Sequence, residues 1–191
     1  KLKLDTLGSE WTAELDYYYY DYKNNQDYRN SYLLPAAATV TGDGENNNVK
    51  NIYVLQSDLT LKLPAKFTLE AGFKANFSNS RNSAHYLIDT GNGQKYVDGY
   101  QTNTFKYKET ITAAYLQVSR TIAGFTFKPG VRLETTNING RQFIPKDTSL
   151  SITRTDVFPY LFIKHNLFKL FKTPLIGSVI YRKSIKRPYY E

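Results

Sequence analysis

Along residues 67–78, FTLEAGFKANFS, apolar and polar side chains take turns without a break. Phe67, Leu69, Ala71, Phe73, Ala75 and Phe77 share one face, and Thr68, Glu70, Gly72, Lys74, Asn76 and Ser78 share the other. Such alternation predicts a β-strand, because successive side chains of an extended chain point to opposite sides. The run is about twice as long as an ordinary globular strand. Upstream, Tyr53, Leu55, Leu59, Leu61 and Leu63 alternate with Gln56, Asp58, Thr60 and Lys62, and Trp11, Ala13, Leu15, Tyr17 and Tyr19 with Thr12, Glu14 and Asp16. Downstream, Phe125, Phe127, Val131 and Leu133 alternate with Thr126, Lys128, Gly130, Arg132 and Glu134. No comparable stretch keeps a helical period. Strands are predicted near 10–24, 50–63, 67–78, 104–120, 125–138, 151–167 and 174–186. In the fourth, Ala114, Leu116 and Val118 take the apolar side and Gln117 and Ser119 the wet side; the last two show no clear face. Pro129 and Pro159 fall inside strand patterns and each removes a ladder donor, which predicts bulges or strand ends.

Short connections (Leu7-Gly8-Ser9, Pro64-Ala65-Lys66, Ala123-Gly124 and about 170–173) alternate with long polar links at about 25–49, 79–102 and 138–150. In an antiparallel meander this puts every short turn at one end and every long loop at the other. Transmembrane β-barrels have that asymmetry. Lipid offers no hydrogen-bond partner, so a non-helical span must be part of a closed, fully paired sheet. Asp58, Lys62, Glu70, Lys74, Arg132 and Glu134 would be too costly in a dry core without partners. With the apolar face turned to lipid, they line a wet or plugged lumen instead. Trp11, Tyr17–Tyr20 and Tyr53 suit the aromatic girdles at the membrane surfaces.

Composition narrows the alternatives. At 41% hydrophobic and 15% aromatic the chain is too rich in Tyr, Phe and β-branched residues for disorder. The absence of Cys removes disulfide scaffolds and Cys-bearing metal sites. No apolar run approaches the ~18 residues of a membrane helix. The sequence starts without Met or an apolar leader, which reads as a processed end or an internal cut.

Three stretches carry a resemblance: Glu109–Ser119 (ETITAAYLQVS), Gly130–Thr136 (GVRLETT) and Ile185–Tyr190 (IKRPYY). With LDTLGSEWTAELDYYYYDY at 4–22 and RTDVFPYLFIKH at 154–165, the order resembles the barrel portion of Bacteroidetes TonB-dependent outer-membrane receptors, the outer membrane protein beta-barrel family. The resemblance implies an N-terminal plug inside a barrel of about 22 strands, energised through TonB and importing a bulky nutrient. The sequence has no TonB-box-like start, plug-like domain or aromatic closing strand. Seven full strands and a stub at Lys1–Asp5 fall short of an even-numbered closed ring. The expectation is therefore an all-β, antiparallel transmembrane β-barrel, residues 1–191 forming one partial segment of a larger barrel in the bacterial outer membrane. Two alternatives stay open: a non-transporting scaffold subunit of an assembly or secretion complex, and a self-contained eight-stranded surface-binding barrel.

The chemistry-bearing motifs read blandly. Leu87-Ile88-Asp89-Thr90-Gly91 mimics an aspartic-protease loop, but two such loops must share a proton and one is present, so a turn is expected. His85, in a long link, and His165, after a strand, have no metal-ligand spacing and no fixed Ser or acid partner, so no catalytic role and no metal or cofactor is expected. Thr41–Asn48 and Asp89–Gln94 offer oxygens to Ca²⁺ without EF-hand spacing and read as solvated loops. Arg182, Lys183, Lys186 and Arg187, interleaved with Tyr181, Tyr189 and Tyr190, could engage single-stranded nucleic acid. The net charge of +8 is spread along the chain rather than gathered in a stripe, so no nucleic-acid partner is expected. The candidate functional residues are the inward charges Glu14, Asp16, Asp58, Glu70, Lys74, Arg132 and Glu134, which would meet the plug or the substrate path or stiffen the wall. Tyr86, Tyr96 and Tyr100 in the loops could anchor a ligand or partner. Expected partners are outer-membrane lipid and lipopolysaccharide, with plug and TonB implied by the resemblance, and other outer-membrane proteins or surface lipoproteins.

Overall fold

The computed structural model describes residues 1–33, 35, 38–144, 146–171 and 173–185. They form one antiparallel sheet: β1 (Leu2–Lys3), β2 (Glu10–Tyr32), β3 (Ala38–Leu63), β4 (Phe67–Asp89), β5 (Lys95–Val97), β6 (Asn103–Ile122), β7 (Phe125–Ile144), β8 (Thr148–Leu170) and β9 (Thr173–Arg182). Neighbours in sequence are neighbours in the sheet, except that β5 and β6 follow one another along the same edge of β4. The sheet is open among the described residues, β1 pairing with β2 alone and β9 with β8 alone. It is an arc of barrel wall.

All seven predicted strands are present, and most are much longer than alternation indicated. β2 runs 23 residues and β3 26, paired without interruption from Glu10↔Thr60 to Tyr32↔Ala38. Most of the links expected at 25–49, 79–102 and 138–150 is therefore strand, and His85, TGDGENNN and Tyr86 sit inside it. Alternation reports lipid on one side, whereas backbone pairing alone defines a strand. A ~25 Å apolar band needs only about 10 tilted residues; the remainder rises into water with both faces polar.

The turns at the opposite end are tight. Ala123 (φ 49°) and Gly124 (φ 80°) join β6 to β7 through two residues of positive φ, the geometry matching the twist of a hairpin. The prolines behave differently from expectation. Opposite Pro129, β6–β7 pairing lapses between Gln117↔Gly130 and Arg120↔Phe127, then resumes in the same register without a bulge. Pro159 lies where the β8–β9 ladder ends, next to Tyr160↔Arg182. The register shifts occur at Thr104/Phe105 and Asn166/Phe168.

The packing is inside-out. Buried hydrophobic side chains amount to Ala75 and Ala113 among the described residues. In β7 the apolar set is the exposed one and the polar set the sheltered one: Leu133 is 51% exposed and its neighbour Glu134 7%. A sheet shelters the side toward which it curls, so the polar face is concave. In water this arrangement would forfeit the burial that drives folding; against acyl chains it is the stable one.

Register also assigns the faces that the sequence left open. Val157, Leu161 and Ile163 pair opposite Leu133, Pro129 and Phe127 and so face outward, and Val179 and Tyr181 follow them in β9. Of the proposed girdle, Trp11, Tyr17, Tyr19 and Tyr53 face outward, with Tyr17 and Tyr53 rings 4.7 Å apart. Tyr18 and Tyr20 face inward, a correction that follows from the two-residue period.

The upper edge of the outward apolar set lies at Tyr19, Tyr53, Phe77, Ala114, Leu133 and Val157 on β2, β3, β4, β6, β7 and β8. Traced through the pairing, the edge drops six residues in five strand-to-strand steps. At ~3.3 Å per residue and ~4.8 Å between strands, that slope is about 40°. It matches the tilt of transmembrane barrel strands.

Candidate functional site

The seven inward charges lie on one face. Pairing sets Thr12, Asp58, Gly72, Tyr115, Arg132 and Phe158 in one row across the wall, and Glu14, Gln56, Lys74, Ala113, Glu134 and Asp156 in the next. Asp16 heads a third row and Glu70 lies in the row below Asp58.

Within these rows the structure splits the set. Asp58 and Glu70 belong to a cross-strand lattice, and Arg132 and Glu134 pair with each other along β7. The Tyr115 hydroxyl donates to Asp58 Oδ1 at 2.7 Å, and Gln56 Nε2 donates to Asp58 Oδ2 at 2.7 Å. Gly72 makes the first bond possible: a Cβ there would stand 2.3 Å from the Tyr115 ring and 2.4 Å from Asp58 Oδ1. Glu70 accepts from Gln117 Nε2 and pairs with Lys128 Nζ at 2.5 Å. Arg132 Nη2 donates to Glu134 Oε2 at 2.7 Å, and the same pattern recurs between Arg154 and Asp156 on β8. Glu14, Asp16 and Lys74 make no hydrogen bond or ion pair within the described residues and project into the concavity. Sequence reasoning missed Tyr115, Gln56, Lys128, Arg154 and Asp156. The first three occupy wet positions of recognised strands, so parity could have found them; β8 showed no face in sequence.

The outer end holds the three aromatic candidates, which take different roles. Tyr86 lies on β4 rather than in a loop, packed over Gly44, where a Cβ would stand 2.2 Å from its ring. Its hydroxyl accepts from Gln26 Nε2 at 3.2 Å, and its backbone is stitched to the 98–102 turn through Asp98 N and Thr102 Oγ1. That turn is organised by Asp98, whose carboxylate accepts from Gln101 Nε2 and from the Tyr100 and Gln101 amides. The Gln101 side chain, then the Tyr100 amide, hold the Asp98 pKa below the ordinary carboxylate value. Tyr96 donates to Gln94 Oε1 at 2.8 Å within its own hairpin. The Tyr100 ring is wholly in solvent.

Other motifs resolve structurally. Asp89 Oδ1 accepts from the amides of Gly91, Asn92 and Gly93, so the DTG stretch is a turn. Thr41–Asn48 is paired strand, not a Ca²⁺ loop. His165 lies inside β8, stacked on Phe125 at 3.8 Å between ring centroids. Of the basic and tyrosine run, Lys186, Arg187, Tyr189 and Tyr190, like Pro188 of the IKRPYY motif, fall outside the described residues.

Among curated protein sequences none matches the chain. Among solved structures, it is similar to the crystal structure of the ferric citrate transporter FecA in the unliganded form, with a TM-score of 0.45, 16% identity and coverage of 84% of this chain. The chain spans 26% of that transporter's length. The sequence model of the outer membrane protein beta-barrel family matches residues 2–191, and the chain belongs to that family, as a stretch of barrel wall in the bacterial outer membrane.

Proposed function

We propose that this wall belongs to a TonB-dependent transporter that imports a bulky nutrient past a plug held in the lumen. The observation that supports the reading is the concave face: a cross-strand lattice around Asp58 and Glu70 and an Arg132–Glu134 pair, with Glu14, Asp16 and Lys74 beside them unpaired among the described residues. Charges held by a wet wall need either water or a polar body to answer them. A plug docked by hydrogen bonds on those three residues would do so, and would be released by rearranging few bonds. TonB as the energy source and a Bacteroidetes origin belong to the same proposal, through the motif resemblance. The reading assigns the chain no catalytic centre.

The test is photo-crosslinking in the intact membrane-embedded protein, with a benzophenone side chain at Lys74 and, as control, at Phe73. The expected outcome is a crosslink from position 74 to an N-terminal globular segment of the same polypeptide and none from 73. A stoichiometric crosslink to a different polypeptide would favour the scaffold reading; no protein crosslink from 74 would reject a plugged lumen.

A further inference from the structure

Above the apolar edge, the outward face is not uniformly polar. Arg81 on β4, Lys106 on β6 and Arg141 on β7 pair directly across the sheet, and Lys108 lies on the same face two residues from Lys106. Like charges opposite one another on adjacent strands are destabilising. One carboxylate answers them: Asp147 accepts from Arg141 Nη2 at 2.6 Å, which raises the Arg141 pKa and lowers that of Asp147. Four cations against one anion leave a net three positive charges on this patch. Arg81, Lys106 and Lys108 have no ion pair among the described residues. The outward face of β2 and β3 at this level is mixed instead, with Asp21, Asp27, Asp43 and Glu45 against Lys23 and Arg29, and with Asp43 paired to Lys95. Three of the chain's net eight positive charges therefore gather where β4, β6 and β7 emerge.

Three features make the patch a built surface. The Phe143 ring lies 5.1 Å from Lys106 Nζ and 4.7 Å from Arg141 Cζ, so one aromatic ring contacts both cations. A shallow recess of about 380 Å³ runs between Lys106, Lys108, Asn139, Arg141, Phe143 and Ser149. Its floor is fixed by the Ser151 hydroxyl donating to Asn139 Oδ1 at 2.9 Å and, below it, Thr153 donating to Asn137 at 2.9 Å. Height completes the argument. Arg81 is four residues above Phe77, and Lys108 and Lys106 six and eight above Ala114. At ~3.3 Å per residue and a tilt of about 40°, the cations stand roughly 10–20 Å above the apolar edge. They face the membrane's surface layer rather than the lumen.

We infer that Arg81, Lys106, Lys108 and Arg141 form a binding site for the phosphorylated sugar headgroup of an outer-leaflet glycolipid of the lipid A class. Its phosphates meet the cations, Arg141 offering a planar fork and the lysines point charges, while its sugar hydroxyls meet Asn139 and Ser149. The acyl chains of the same molecule lie down the apolar stripe below, which free phosphate has no means to use. The inference is independent of whether the barrel transports anything.

The test compares full-length protein in detergent with the variant carrying Arg81→Gln, Lys106→Gln and Lys108→Gln, and with a control carrying Lys3→Gln, Lys62→Gln and Lys66→Gln. Retention of diphosphoryl lipid A is read by native mass spectrometry against its dephosphorylated form. Since a surface cation contributes about five-fold in affinity to an anionic lipid, the triple variant should bind about 100-fold more weakly and the control unchanged. The single variant Lys108→Gln should bind about five-fold more weakly, and serves if the triple variant folds poorly. Equal retention of dephosphorylated lipid A, unchanged retention by both patch variants, or displacement by inorganic phosphate at equimolar concentration would overturn the assignment.

Discussion

Phe73→Arg is expected to destabilise the membrane-embedded protein by about 2–4 kcal/mol, the depth-dependent penalty for a cation on the lipid face of a barrel near its midplane. Phe73 sits midway along the outward run from Phe67 to Phe77, and its ring is 42% exposed with no side-chain layer above it. Its sequence neighbour supplies the contrast. Lys74 is on the concave side, makes no ion pair among the described residues and is exposed; Lys74→Ala should change stability by less than about 0.5 kcal/mol. Denaturant titration of the protein folded into phospholipid vesicles, read from the fluorescence of Trp11, measures both. If Phe73 faced water rather than lipid, Phe73→Arg would cost no more than Lys74→Ala, because replacing a solvent-side Phe is mild.

The second large effect belongs to Gly72→Val. The glycine is half-buried at an ordinary extended position, so its role is space rather than backbone freedom. A Cβ would meet the Tyr115 ring at 2.3 Å and Asp58 Oδ1 at 2.4 Å. Both are side-chain tips, so the strands need not separate; the Tyr115 hydroxyl is driven off Asp58 instead. Overpacking of this kind costs about 1–3 kcal/mol. Loss of a hydrogen bond to a charged acceptor adds about 1.5–3 kcal/mol, reduced here because the lumen side is wet. A total of about 2–4 kcal/mol is expected, and Tyr115→Phe, which removes the bond without the clash, should cost about half. Equal losses for the two would locate the effect in the hydrogen bond alone; no loss for Gly72→Val would remove the lattice from the account.

Where the protein meets lipid, the sequence is nearly transparent. Residues 67–78 must alternate because one side sees acyl chains and the other does not, so Glu70, Lys74, Arg132 and Glu134 could be placed on the wet face from parity alone. The same logic failed above the membrane. Asn46, Asn47 and Asn48 look like a loop, yet all three pair with both neighbouring strands; with water on each side nothing selects apolar residues, and backbone ladders continue unseen. Faces in β8 and β9 were hidden for another reason. Inward Phe158, Tyr160 and Phe162 are as apolar as outward Val157 and Leu161, so only register separates them. Pairing between distant residues, as in Tyr115 with Asp58 and Phe143 beneath Lys106 and Arg141, depends on that register too. The charge of Arg81, Lys106, Lys108 and Arg141 was visible as composition, but its gathering into one patch was not.

The most direct measurement is a nitroxide scan of residues 68–77 in the full-length protein reconstituted in lipid, recording collision with oxygen, which concentrates in acyl chains, and with a water-soluble nickel chelate. Oxygen accessibility should oscillate with a period of two, with maxima at 69, 71, 73, 75 and 77 and nickel accessibility out of phase. An oscillation of opposite phase, with Lys74 and Glu70 the oxygen-rich positions, or no oscillation at all, would contradict a wall whose apolar side faces the membrane.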